Sequence, residues 1–190
     1  MEKEDALVVS LREPQVDNII GFVDGVAIPI MCSSDEEEQA TYYNGHMKDT
    51  VCNNVFAFRP FGTIMFAFFN HPGSWHDSQV SVLLIAHVVA NIGMFALCVD
   101  QGFPRGGDLY DKFVGPISKK KRRKLSPITR ELILARIEIY ISLRQASEWG
   151  MRALQGSFTR IKSRLCGQTT TRHKHSSIIL LHIYRTGYVT

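Results

Sequence analysis

Three carboxylates in this chain stand in surroundings suited to chemistry on a phosphodiester. Asp24 ends the run Gly21-Phe22-Val23-Asp24, with Gly25 behind it, and Asp100 ends Phe95-Ala96-Leu97-Cys98-Val99-Asp100. Both runs have the apolar, partly β-branched character of strands. Glu148 lies in Ser147-Glu148-Trp149-Gly150-Met151-Arg152, a stretch of helical spacing, with Arg144 and Arg152 one turn to either side. Two divalent cations can drive hydrolysis or transfer at a phosphodiester, one activating the attacking oxygen and the other stabilising the leaving one. Magnesium takes hard oxygen ligands. A short, rigid aspartate at the end of a strand and a glutamate reaching from a helix are residues of that kind. Long stretches of chain separate the three, so only folding can bring them together.

Each of these residues also has a plainer reading. Asp24 before Gly25, and Asp100 before Gln101-Gly102, fit turns. Glu148 can simply pair with Arg144 and Arg152 at i±4. His76-Asp77 fits a helix cap. The run Lys119-Lys120-Lys121-Arg122-Arg123-Lys124 fits a solvated loop, a nuclear import signal or a patch contacting phosphates. Trp75 and Trp149 are expected in the core.

The elements that must position these groups follow from pattern. Ile19 to Met31, Val51 to Phe58 and Thr63 to Phe69 read as strands of an antiparallel meander, with Pro60-Phe61-Gly62 as a turn. Residues 32–50, polar and containing Asn44-Gly45, read as a loop or hairpin connection. A helix is predicted over Gln79 to Ile92, capped by Asp77 or Ser78, and a fourth strand over Met94 to Val99. Residues 101–127, with their glycines, prolines and basic run, read as a long loop insertion. From Ala135 to Leu143 the apolar residues alternate as in a strand. Farther on, Leu143, Ala146, Gly150, Leu154, Phe158, Ile161 and Leu165 follow helical spacing, and a helix over 130–165 is the preferred reading. Ala6 to Leu11 is a short apolar run of unassigned type, and Ser177 to Tyr184 is a last apolar segment.

The chain has 190 residues, 45% of them hydrophobic, enough for one domain with a real core. Its net charge is only +4, yet the bases cluster at 119–124 and from Arg160 to Arg185, while acids gather at Asp35-Glu36-Glu37-Glu38. That asymmetry suits a polyanionic partner. Cys32, Cys52, Cys98 and Cys166 form no CxxC pair, which argues against a zinc site or disulfide framework and for a reducing compartment. The charged N-terminus lacks the order of a signal peptide. The longest apolar stretch, Val80 to Leu97, is interrupted by Ser81, His87, Asn91 and Gly93, too polar for a membrane span.

Five motifs occur in order: Gly21-Phe22-Val23-Asp24-Gly25, Asn54-Val55-Phe56-Ala57-Phe58, Pro72-Gly73-Ser74-Trp75-His76-Asp77-Ser78, Val99-Asp100-Gln101-Gly102-Phe103-Pro104 and Glu148-Trp149-Gly150-Met151-Arg152-Ala153-Leu154-Gln155-Gly156-Ser157-Phe158. Together they resemble the DDE superfamily endonuclease domain of PIF/Harbinger-type transposases and their domesticated relatives. The resemblance covers about residues 18–166 and extends to the Leu181 to Gly187 segment. It implies an α/β, ribonuclease H-like mixed sheet: three antiparallel strands, a helix, a further strand and a long C-terminal helix. It also implies Mg²⁺- or Mn²⁺-dependent cleavage and strand transfer of DNA, with the acidic triad, and so the metal ligands of a two-metal site, on Asp24, Asp100 and Glu148. Asp77 matches a recurrent family aspartate and is expected near the site with His76, as a cap or a group supporting the ligands.

On this reading residues 1–17 are an N-terminal extension, 18–167 the endonuclease domain and 168–190 a basic C-terminal segment. Lys119 to Lys124, Arg144, Arg152 and Lys162 are the expected DNA contacts. Such transposases usually carry a helix-turn-helix region first, for which the residues before Ile19 are too few, and relatives usually continue beyond Gly187. The departures fit a truncated copy, a remnant or a domesticated fragment. The alternative function is therefore a catalytically inactive module for DNA or protein interaction, relying on a separate DNA-binding partner. No membrane is expected, an oligomer is compatible with the sequence, and the nucleus is the expected location, with the cytoplasm as the alternative.

Overall fold

A computed structural model of the chain describes residues 1–104 and 111–157. Strands β1 (Ile19–Pro29), β3 (Asp49–Phe58) and β4 (Ile64–Pro72) form an antiparallel meander, and the two-residue β2 (Tyr43–Asn44) pairs with the start of β3. β5 (Ala96–Cys98) then runs parallel to β1, and β6 (Phe113–Val114) parallel to β5. The six-stranded sheet has β4 and β2 against β3, followed by β1, β5 and β6. This mixed sheet with helices on both faces is a ribonuclease H-like fold.

β1, whose alternation is shifted by an irregularity between Ile19 and Gly21, divides its side chains between two cores. Ile20 and Val23 join Leu97, Val99 and Val55 under Val80, Leu84, Val88 and Ile92 of the α3 region, where α3 spans Asp77–Asn91. On the other face Ile19, Phe22 and Cys98 pack against Ile139 and Leu143 of α5 (Pro127–Ser157). Farther along α5, Met151 covers Ile28, Phe56, Phe58 and Ile64. The period-two pattern of 135–143 is thus not a strand: Ile137 and Leu143 are buried on the helix while Ile141 is exposed. Helical spacing decided, since Ile137, Tyr140, Leu143, Gly150 and Met151 meet the sheet side. The remainder of the helix predicted to 165, and the 177–184 segment, lie outside the described residues.

Gly150 sets how closely α5 approaches the sheet. A Cβ there would lie 2.7 Å from Phe58 Cδ1, inside contact distance. Only glycine lets the helix rest on the Phe58 ring at this point.

Four further elements have no counterpart in the sequence pattern. α1 (Glu2–Arg12) contains the unassigned run Ala6 to Leu11. Its Val9 joins the α5 core, its Arg12 reaches the Ser142 carbonyl and hydroxyl, and its Asp5 pairs with Arg59 Nη1 at 3.2 Å. The N-terminal extension is therefore packed into the domain. α2 (Glu36–Tyr42) occupies the acidic run, capped by Asp35 accepting from Glu38 N–H at 2.8 Å. The segment read as a loop at 101–127 contains β6 and the one-turn α4 (Lys119–Arg122), capped by Ser118.

Candidate active site

The placement of the two aspartates follows from strand register. Phe22 of β1 is paired with Cys98 of β5. Two residues onward in each parallel segment, side chains return to the same face. That position is Asp24 in β1, and Asp100 just past the end of β5. The face is the one that α5 covers, because Phe22 and Cys98 share one buried cluster with Ile139 and Leu143. Arg144 follows Leu143, and Glu148 lies one helical turn beyond Arg144. Gly150, seated on Phe58, fixes that stretch of helix over the sheet.

The electrostatics record the convergence. Asp24 is half-buried, and its Oδ1 accepts the Gly25 N–H at 3.0 Å. Its carboxyl is held above the ordinary 3.8, first by burial and further by the negative charges of Asp100 and Glu148; the Gly25 N–H and the Arg144 guanidinium act in the opposite direction. Arg144 Nη1 lies 3.1 Å from Asp100 Oδ1. Glu148, 51% exposed, has Arg152 at 3.9 Å on its outer side, too far for a hydrogen bond. Three acids and two arginines from β1, the end of β5 and α5 thus share one locality.

The donor set suits a hard divalent cation, since Asp24 is a partly desolvated carboxylate facing two other anions. Among the described residues no group of three or more His, Cys, Asp or Glu side chains is gathered tightly enough to hold a metal as it stands. Instead Arg144 supplies the positive charge beside Asp100.

Other expected residues lie farther off. Lys121 of α4 lines a groove with Ile133, Ile137 and Tyr140 of α5. Ile137 is about 16 Å along the helix axis from Glu148, at 1.5 Å per residue. The exposed basic run is therefore near the other half of α5, not beside the acids. His76, rather than Asp77 or Ser78, precedes the first turn of α3, and its N–H donates to Gln79 Oε1 at 3.0 Å. That reciprocal contact starts the helix earlier than its apolar pattern indicates. The Asp77 side chain and Lys162 lie outside what is described. Trp75 and Trp149, expected in the core, are both exposed, Trp149 on the outer face of α5 and Trp75 on a polar turn. The neighbouring Gly73-Ser74 and His76 were the available signal for Trp75. The Arg144–Asp100 pair had no sequence signal, because it joins distant segments.

The model of the DDE superfamily endonuclease family matches residues 23–183, and the chain belongs to that family. No significant match was found among curated proteins or among solved structures. Members of the family are endonucleases acting on DNA and generally depend on divalent metal. No helix among the described residues is long and apolar enough to cross a membrane.

Proposed function

We propose that this chain is a DNA endonuclease of Harbinger-type transposase descent, with Asp24 and Asp100 jointly holding one Mg²⁺ or Mn²⁺ and Glu148 completing a second site. The reading rests above all on the locality Asp24 shares with Asp100 and Glu148: burial first, and then the negative charges of those two acids, raise the proton affinity of its carboxyl. Three facing anions are costly without a counter-charge and become ligands when one arrives. Bound there, the cations would activate the attacking oxygen and stabilise the leaving one.

The protein's own groups do the rest. Gly25 N–H orients Asp24 through its 3.0 Å hydrogen bond. Arg144 neutralises Asp100 in the resting site and turns to a substrate phosphate when that carboxylate takes another partner. Arg152, 76% exposed, offers a second phosphate contact at the outer edge. Lys119 to Lys124 grip the backbone roughly five nucleotides away, given about 3.4 Å per nucleotide along one strand. Affinity is then largely independent of sequence and falls steeply with salt. The nucleus is the matching location, and a separate DNA-binding partner the matching source of targeting.

The Arg144–Asp100 pair favours a second reading, in which the acids are permanently neutralised and the domain acts only as an interaction module. Supercoiled plasmid incubated with the protein and Mn²⁺ separates the two. Nicking above that of an Asp100→Ala control supports the enzyme; equal nicking removes the catalytic assignment.

A further inference from the structure

A groove of about 670 Å³ opens on the face of the sheet opposite the acids, reaching β1 at Gly25, and its walls contain no Lys, Arg, Asp or Glu among the described residues. Its lining includes Trp75, Tyr43, His46 and His76, all exposed, together with Gly25. A neutral, aromatic recess of this size takes a flat, uncharged group with hydrogen-bonding edges. Neither the acids nor the basic run uses it.

Trp75 is built as a platform. Its ring stacks on His71, with centroids 5.9 Å apart and planes 22° from parallel. His71 is buried, and burial holds its imidazole below the ordinary 6.5, so the support is uncharged at neutral pH. The Trp75 carbonyl accepts from Asn53 Nδ2 at 3.0 Å, which ties the turn to β3. Even so, 39% of Trp75 stays exposed. A tryptophan fixed on one side and open on the other is a surface on which a base can stack.

Gly25 connects this groove to the acids. Its N–H binds Asp24 Oδ1, while the residue itself lines the groove and is exposed. Alternation directs Asp24 to the α5 face and Gly25 to the other. The β5 pairing of β1 ends at Phe22, so at Gly25, which has no side chain, DNA can pass on that open side from one face to the other.

We propose that the Trp75 groove receives an unpaired nucleotide of the DNA strand, its base stacked on the indole, next to the nucleotide held at Asp24. This rests on the DNA-cleaving reading above and adds to it a preference for unpaired over fully paired DNA. Base stacking on an aromatic side chain is sequence-tolerant, so the preference is for strandedness and not for a particular base.

The test uses the full chain in a Trp149→Phe background, leaving Trp75 as the sole tryptophan, without metal. A single-stranded 12-mer and the blunt duplex of the same sequence are titrated, following Trp75 emission and the anisotropy of labelled DNA. The single strand is expected to quench Trp75. Trp75→Ala is expected to weaken single-strand binding by about tenfold or more, with Trp75→Phe retaining most of it, while duplex binding changes less than about twofold. Unchanged Trp75 emission on binding of the single strand, or equal loss of both DNAs in Trp75→Ala and Trp75→Phe, overturns the proposal. Plasmid nicking keeps the two claims apart. Quenching without nicking leaves the groove and removes the enzyme, whereas nicking with a silent Trp75 does the reverse.

Discussion

Arg144 Nη1 stands 3.1 Å from Asp100 Oδ1, an ion pair between α5 and the end of β5 that places a protein cation where one acid of the site needs charge compensation. Both side chains are partly solvated, so the pair is worth at most about 1 kcal/mol and can be exchanged for a better partner.

Removing that internal cation has opposite effects on binding and catalysis. Arg144→Gln is expected to tighten Mn²⁺ binding up to about fivefold, the equivalent of about 1 kcal/mol, because the guanidinium no longer competes for Asp100. The same variant loses a phosphate contact and is expected to nick plasmid more slowly. Calorimetric Mn²⁺ titration and a nicking time course check the two halves.

Asp24 carries a sign that can be tested by pH. Its folded-state pKa lies above the unfolded 3.8, so the unfolded chain binds fewer protons in that window. The stability of the protonated form is present below the unfolded pKa and is lost as pH rises through the raised folded pKa. Asp24→Asn, neutral at every pH, is therefore expected to unfold at a higher temperature than the parent at neutral pH without metal. Metal binding needs the ionised acid and is expected to fail on acidification at a higher pH than an ordinary carboxylate dictates. Thermal melts and Mn²⁺ titrations across pH measure both.

The seat of α5 is a point of steric demand. Gly150→Val places new atoms against the Phe58 ring, and overpacking of this kind typically costs about 1–3 kcal/mol. Because the same turn carries Glu148, catalysis is expected to fall further than stability alone accounts for. Urea unfolding, with nicking measured under fully folded conditions, distinguishes the two losses.

Both side chains of the Asp5–Arg59 pair are nearly inaccessible, and burial raises the Asp5 carboxyl despite the facing guanidinium. Arg59→Ala leaves a buried carboxylate without its cation and is expected to cost about 3–5 kcal/mol. Asp5→Leu combined with Arg59→Met is expected to recover most of that loss. Chemical denaturation of the three variants tests whether α1 is integral to the domain.

These sites also show what the sequence could and could not reveal. The strands around Phe22 and Val23, and around Leu97 and Val99, were legible as short continuous apolar runs because both are buried on both faces. Helical spacing past Leu143 was legible, and of its residues Gly150, together with the adjacent Met151, meets the sheet. The ambiguity before it came from Ile141, an exposed isoleucine that completes a false alternation. α4 and β6 were illegible: a one-turn helix of lysines and a two-residue strand have almost no pattern of their own, and tertiary contacts decide them. The nearness of Asp24, Asp100 and Glu148 was suggested by motif order, whereas the Arg144 partner, the Gly150 seat and the exposed Trp75 depend on how distant segments pack.

Mn²⁺ titration of the folded protein, followed by the ion's electron paramagnetic resonance, tests the three-acid site most directly. Asp24→Asn, Asp100→Asn and Glu148→Gln are each expected to bind Mn²⁺ at least about tenfold more weakly than the parent, or to lose one of two bound ions. Parent-like Mn²⁺ binding in all three variants would contradict the assignment of these acids as a metal site.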